Sequence, residues 1–117
     1  MKKTILVYDN QLGHYNLLKD NFKHDYKLVL FNEDYKLYNI GEDATVFFLY
    51  DDIEVIDLIK IYQPEVPLII GCSYAGAHCL SGKKNIYDLS LMQTKDEIVR
   101  QLGDLLHTIT DIKEKAL

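Results

Sequence analysis

Short apolar runs alternate along the chain with stripes at helical spacing, and this alternation constrains the fold more than any other feature. Thr4-Ile5-Leu6-Val7-Tyr8 is a continuous apolar run, as expected of a strand covered on both faces, and it ends at the turn formers Asp9-Asn10. Tyr15, Leu18 and Phe22 then fall at helical spacing and predict a short helix through about Lys23. Tyr26–Phe31 reads as a second strand, nearer an edge because Lys27 interrupts it. Residues 32–43 are polar and leave room for a single helical turn around Tyr35–Ile40.

Val46–Tyr50 is the most hydrophobic strand segment and is expected at the centre of the sheet; it stops abruptly at Asp51-Asp52. The segment Asp52–Gln63 reads as a helix with Val55, Leu58, Ile59 and Tyr62 on its inner stripe, Asp52 as its cap and Pro64 as its stop. Ile53, Ile56 and Ile61 lie off that stripe. Pro67–Gly71 is a further buried strand, Ser73–Lys84 a loop or one short helix, and Asn85–Leu91 a weaker strand burying Ile86, Leu89 and Leu91. Thr94-Lys95-Asp96-Glu97 has the spacing of a capping box and opens a helix with Ile98, Leu102, Leu105, Leu106 and Ile109 on one face.

This order of elements implies one α/β domain over residues 1–117, a doubly wound, five-stranded parallel sheet with strand order 2-1-3-4-5 and shortened second and fourth helices. With 117 residues, 48% of them hydrophobic, the chain is long enough for a core without disulfide or metal staples. No apolar run approaches the ~18–20 residues of a membrane span. The Met1-Lys2-Lys3-Thr4 start lacks a secretory cleavage site, and with two cysteines the expected compartment is a reducing cytoplasm. A net charge of −5, with Arg100 the only arginine among 13 basic residues, disfavours nucleic acid as a partner.

In an open sheet of this kind, function sits beyond the C-terminal strand ends. The positions to inspect are Asp9-Asn10, Asp51-Asp52, Cys72-Ser73 and Leu91-Met92. Here the chain resembles the receiver domain of two-component response regulators. Ile5–Asn10 is similar to that family's opening strand and acidic pair. Phe47–Asp51 is similar to the strand that delivers the phosphorylatable aspartate, and Pro67–Ser73 to the strand that ends in the switch Ser/Thr. The resemblance implies Asp51 as phosphoacceptor, Asp9 and Asn10 as the acidic pocket, Ser73 as switch hydroxyl, and Mg²⁺ held by Asp9 and Asp51. A hard cation with oxygen ligands would neutralise an incoming phosphoryl group attacked by a carboxylate.

The sequence departs from that pattern in ways that bear on the chemistry. Asn10 stands where a second acid is usual and offers one neutral oxygen. Leu91-Met92 stand where the fifth strand normally ends in Lys-Pro, and Lys95 begins the final helix instead. Counting from Thr45 puts Tyr50 at the acceptor position, whereas the end of the apolar run puts Asp51 there, with Asp52 following. The expectation is a stand-alone pseudo-receiver, a phosphorelay or protein-interaction module with degenerate or absent phosphoacceptor chemistry and no enzymatic activity. Its partner is expected to be a protein or a second copy, bound through the isoleucine-rich Asp52–Gln63 helix and its neighbouring loop.

An alternative is a small serine hydrolase, since Gly71-Cys72-Ser73-Tyr74-Ala75 resembles a nucleophile elbow. His78 lies too close behind Ser73 to complete a triad, however, and His107 falls within the last helix. Cys72, His78 and Cys79 form only a weak metal pattern, better read as a buried thiol and a loop thiol. His14 and His24 sit among polar residues and read as solvated. Phosphate-binding glycine motifs are absent from the sequence.

Overall fold

A computed structural model describes residues 2–31, 41–72 and 84–115. The expected turn around Tyr35–Ile40 and most of the Ser73–Lys84 segment lie outside the described residues, as do Ser73, His78 and Cys79. The strands are β1 (Lys3–Tyr8), β2 (Tyr26–Leu30), β3 (Ala44–Leu49), β4 (Leu68–Cys72) and β5 (Ile86–Ser90). They form one sheet in the order β2-β1-β3-β4-β5. Every pairing is parallel, with Ile5 opposite Leu28, Tyr8 opposite Phe47, Phe47 opposite Ile70 and Cys72 opposite Ser90. The described helices are α1 (Gly13–Phe22), α2 (Val55–Ile61) and α3 (Lys95–Lys115).

The apolar runs occupy the positions that their composition predicts. β3, buried at all six positions, sits at the centre, and β2, whose Lys27 is exposed, lies at the edge. Alternation along the strands divides the core in two. Ile5, Val7, Val46, Phe48 and Ile69 face one side with Leu18 of α1 and Ile98, Leu102, Leu106 and Ile109 of α3. Tyr8, Phe47, Leu49, Leu68 and Ile70 face the other side with Leu58 of α2. Each fully buried side chain of this size contributes about 1.5–3 kcal/mol relative to exposure. At the start of α3 the Thr94 Oγ1 accepts the Glu97 N–H at 3.2 Å, as the capping-box spacing predicts.

The β3–α2 junction differs from the sequence reading. The chain first makes a 3-10 turn over Asp52–Glu54, and only then the α-helix. The capping carboxylate is Asp51, whose Oδ1 accepts the Ile53 N–H at 2.8 Å; the sequence places the cap one residue later, at Asp52. The tighter turn also shifts the phase of α2. Ile61 packs into the core, whereas Ile59, assigned to the inner stripe, is 54% exposed. Ile53 and Ile56 are exposed as well, at 75% and 60%.

Candidate functional site

The site is built where β1 and β3 end side by side. Tyr8 points to the α2 side of the sheet, so Asp9, next along the strand, turns to the α1 side. On β3 the same alternation sends Phe47 and Leu49 to the α2 side and Phe48 and Tyr50 to the α1 side. Tyr50 is therefore the residue that β3 brings to Asp9. Its hydroxyl donates to Asp9 Oδ1 at 2.7 Å.

Asp9 is only 4% exposed and is surrounded by donors. Besides Tyr50, the Gln11 N–H donates to Oδ1 at 3.0 Å and the Tyr15 N–H, in the first turn of α1, to Oδ2 at 2.7 Å. These two backbone bonds straddle Leu12, which adopts a left-handed conformation with φ 65°. That conformation costs a non-glycine residue on the order of 1 kcal/mol, so the carboxylate holds a strained turn closed while it caps the helix.

The Tyr50 oxygen has a second partner. His14 Nδ1 lies 2.7 Å away, and since the tyrosine proton is given to Asp9, His14 is the donor there through its Nδ1–H. The imidazole also stacks on Phe48, with ring centroids 4.9 Å apart. His14 is thus half-buried, a correction to the solvated reading. Its polar sequence neighbours gave no sign that the first turn of α1 lies over the β3 end. Burial lowers the His14 pKa below its ordinary value, against the opposing pull of Asp9. Burial, followed by the bond to Asp9, pushes the Tyr50 hydroxyl well above the usual phenol range.

Glu54, which the sequence reading missed, completes the junction. It is 7% exposed; Oε1 accepts the Tyr50 N–H at 2.8 Å and Oε2 accepts the Asn10 amide at 2.6 Å. The signal was the spacing, because an acid three residues after Asp51 can fold back over the start of the turn, in the manner of a capping box. Asn10 also reaches the Tyr8 hydroxyl at 3.4 Å, and that hydroxyl donates to Asp57 on α2 at 2.8 Å. Burial and the adjacent Asp57 push the Tyr8 hydroxyl up to about 12.

Asp51 is exposed and spends one carboxylate oxygen on its own turn; it is not among the hydrogen-bond partners of Asp9. No group of three or more His, Cys, Asp or Glu side chains gathers as a metal cluster among the described residues. Ser73 lies outside them, so neither the switch nor the elbow reading can be placed. Gly71 has a packing reason of its own: a Cβ there would stand 2.9 Å from Phe48 Cδ1. At the end of β5, Met92 is 76% exposed and Lys95 is the first residue of α3, so no lysine follows the strand directly.

No protein-family model matches the chain, and a search of the curated proteins returns no match. Solved structures do match over nearly the full length. A response regulator from Thermotoga maritima has a TM-score of 0.62 at 13% identity, covering 92% of this chain and 99% of the other. A response regulator receiver modulated diguanylate cyclase from Pelobacter carbinolicus has a TM-score of 0.60 at 19% identity, covering 96% and 98%. A response regulator protein from Burkholderia multivorans has a TM-score of 0.53 at 12% identity, covering 90% and 95%. The chain has the flavodoxin-like fold of response-regulator receivers, as its resemblance implied. No described helix is long and apolar enough to cross a membrane.

Proposed function

We propose that the chain is a receiver-like signalling domain that works by protein contact, with the phosphoacceptor chemistry of the phosphorelay degenerate and no enzymatic role. One observation carries this reading: the Tyr50 hydroxyl donates to Asp9 Oδ1, where a receiver would bring an acceptor and a cation together. Three donors already engage Asp9, and the Asn10 amide nitrogen faces Glu54, so this donor set does not fit a Mg²⁺ site. A signalling domain without that chemistry acts through its surface, and the exposed isoleucines of the β3–α2 junction supply an apolar one.

The test is incubation with acetyl phosphate and Mg²⁺ followed by intact-mass spectrometry. The expected result is no added phosphoryl mass under conditions that label an intact receiver. Stoichiometric labelling at Asp51 would overturn the degenerate reading while leaving the fold assignment in place.

A further inference from the structure

The described sheet ends at β2 on one side and at β5 on the other, and a groove runs beside β2. The Phe31 N–H donates to the Val7 carbonyl at 2.7 Å, so the residues in step with Phe31, Lys27 and Val29, turn their backbone groups to β1. Leu28 and Leu30 are out of step and turn theirs outward, where the described sheet has no further strand. The groove holds about 540 Å³. Tyr15, Lys19 and Lys23 form one wall along α1 and its C-terminal cap, and Tyr26, Lys27 and Leu28 form the other. Lys2 closes one end, with its ammonium on the Lys23 carbonyl. Tyr26 and Leu28 face α1, whereas Lys27 between them faces the α2 side. A groove that touches all three reaches round the outer edge of the strand, to its outward backbone groups.

Such an edge is a template for one more strand, because its N–H and C=O groups repeat at the spacing of a partner backbone. The surroundings decide which side chains that strand carries. Tyr15, Tyr26 and Leu28 pack inward against the core and leave a half-buried, mostly apolar floor on the α1 side. A strand laid along β2 sets alternate side chains on that floor. Its other side chains fall on the opposite face, beside the exposed Lys27. The exposed Lys19 and Lys23 stand along the α1 rim; Asp20 lies off that face of the helix, and Asp25, in the turn before β2, offsets one of them. Two β2 edges meeting each other bring Lys27 toward Lys27, which keeps copies apart while favouring an acidic strand. The β5 edge exposes Asp88 instead and lacks this preference.

We propose that the β2 edge binds an extended segment of a partner protein in which apolar residues alternate with Asp or Glu. The site is separate from the Asp9 pocket and from the exposed isoleucines, and it does not depend on the signalling reading. The probe is a short capped peptide of alternating Val and Glu, titrated into the isotopically labelled protein and followed by amide chemical shifts and hydrogen exchange. It is expected to saturate, with shifts over residues 15–30 and slowed exchange at the Leu28 and Leu30 amides. Two control peptides are expected to bind far more weakly: one with Lys in place of Glu, and one fully N-methylated, which keeps the charges and loses the N–H groups. The Lys23→Glu/Lys27→Glu double variant is expected to weaken binding about tenfold. Both lysines are exposed, and circular dichroism checks the fold of each variant. Leu30→Pro, the second variant, removes an outward N–H at an edge position where proline is tolerated, and is expected to abolish binding. Absence of saturation, equal binding of the N-methylated peptide, or unchanged affinity in both variants would each overturn the proposal. Concentration-dependent protection of Leu28 and Leu30 in the free protein would also overturn it, by showing that a second copy holds the edge.

Discussion

Two aspartates end neighbouring strands of the sheet, and the structure uses them in opposite ways. Asp9, after β1, is buried and holds three donors from the loop, from α1 and from Tyr50. Asp51, after β3, is exposed and holds one N–H of its own turn. The side chain facing inward at the β3 end is Tyr50, so the later acid falls outside the pocket. Polar bonds close both junctions, to Asp9 in the first and to Glu54 in the second, and the β3–α2 junction also carries the exposed Ile53 and Ile56. A residue type at a strand end therefore says little until its parity in the sheet is known.

The comparison is broken most severely by alanine at the two positions. Asp9→Ala leaves the Gln11 and Tyr15 N–H groups and the Tyr50 hydroxyl without their acceptor and releases the strained Leu12 turn. The expected loss is about 2–4 kcal/mol by urea unfolding. Asp51→Ala removes a single exposed cap and is expected to cost about 0.5–1 kcal/mol. Equal losses at the two sites would show that the two junctions do not differ in the way the hydrogen bonds imply.

Tyr50→Phe sharpens the same contrast from the other strand. The ring and its packing stay, while Asp9 loses a donor and His14 loses its acceptor. The expected cost is about 1–2 kcal/mol, measured in the same way. If the variant were as stable as the parent, the Tyr50 bond would not be part of what holds the β3 end to β1.

Protonation of His14 has a smaller effect. The folded state lowers its pKa below the ordinary 6.5, so the unfolded chain takes up the proton first as pH falls. Stability is therefore expected to decline as pH drops below about 6.5 and to level off only below the folded-state value. His14→Gln should show a shallower decline over that window. Parallel curves for the two proteins, in unfolding experiments from neutral to mildly acidic pH, would show that burial does not disfavour the imidazolium.

Much of this architecture is legible in the sequence. The apolar runs fix the strands, Lys27 marks the edge, and the Thr94–Glu97 spacing marks the start of α3. Those signals are local and depend on only a few residues. The pocket is harder to read because its membership depends on the point at which β3 leaves the sheet. A slip of one residue in the β3 register would exchange the roles of Tyr50 and Asp51. The same limitation affects α2, where a 3-10 opening rotates the helix so that Ile61 turns inward and Ile59 outward. Glu54 is signalled only by its spacing from Asp51, and His14 joins the site through contacts between junctions that neither periodicity nor composition encodes.

The exposed side of the β3–α2 junction gives the prediction with the smallest effect on stability. Ile53 and Ile56 are mostly in solvent, so replacing both with Glu removes little buried surface and should change unfolding by less than about 0.5 kcal/mol. Leu58, fully buried one helical turn inward, provides the contrast, since Leu58→Glu places a charge in the core and is expected to prevent folding. If the isoleucines form a contact surface between copies, light scattering on the parent protein will give a mass above the 13.6 kDa monomer. The Ile53→Glu/Ile56→Glu variant will fall to the monomer value with its circular dichroism unchanged. A monomeric parent would sink self-association. A double variant that unfolds would show that these side chains belong to the core.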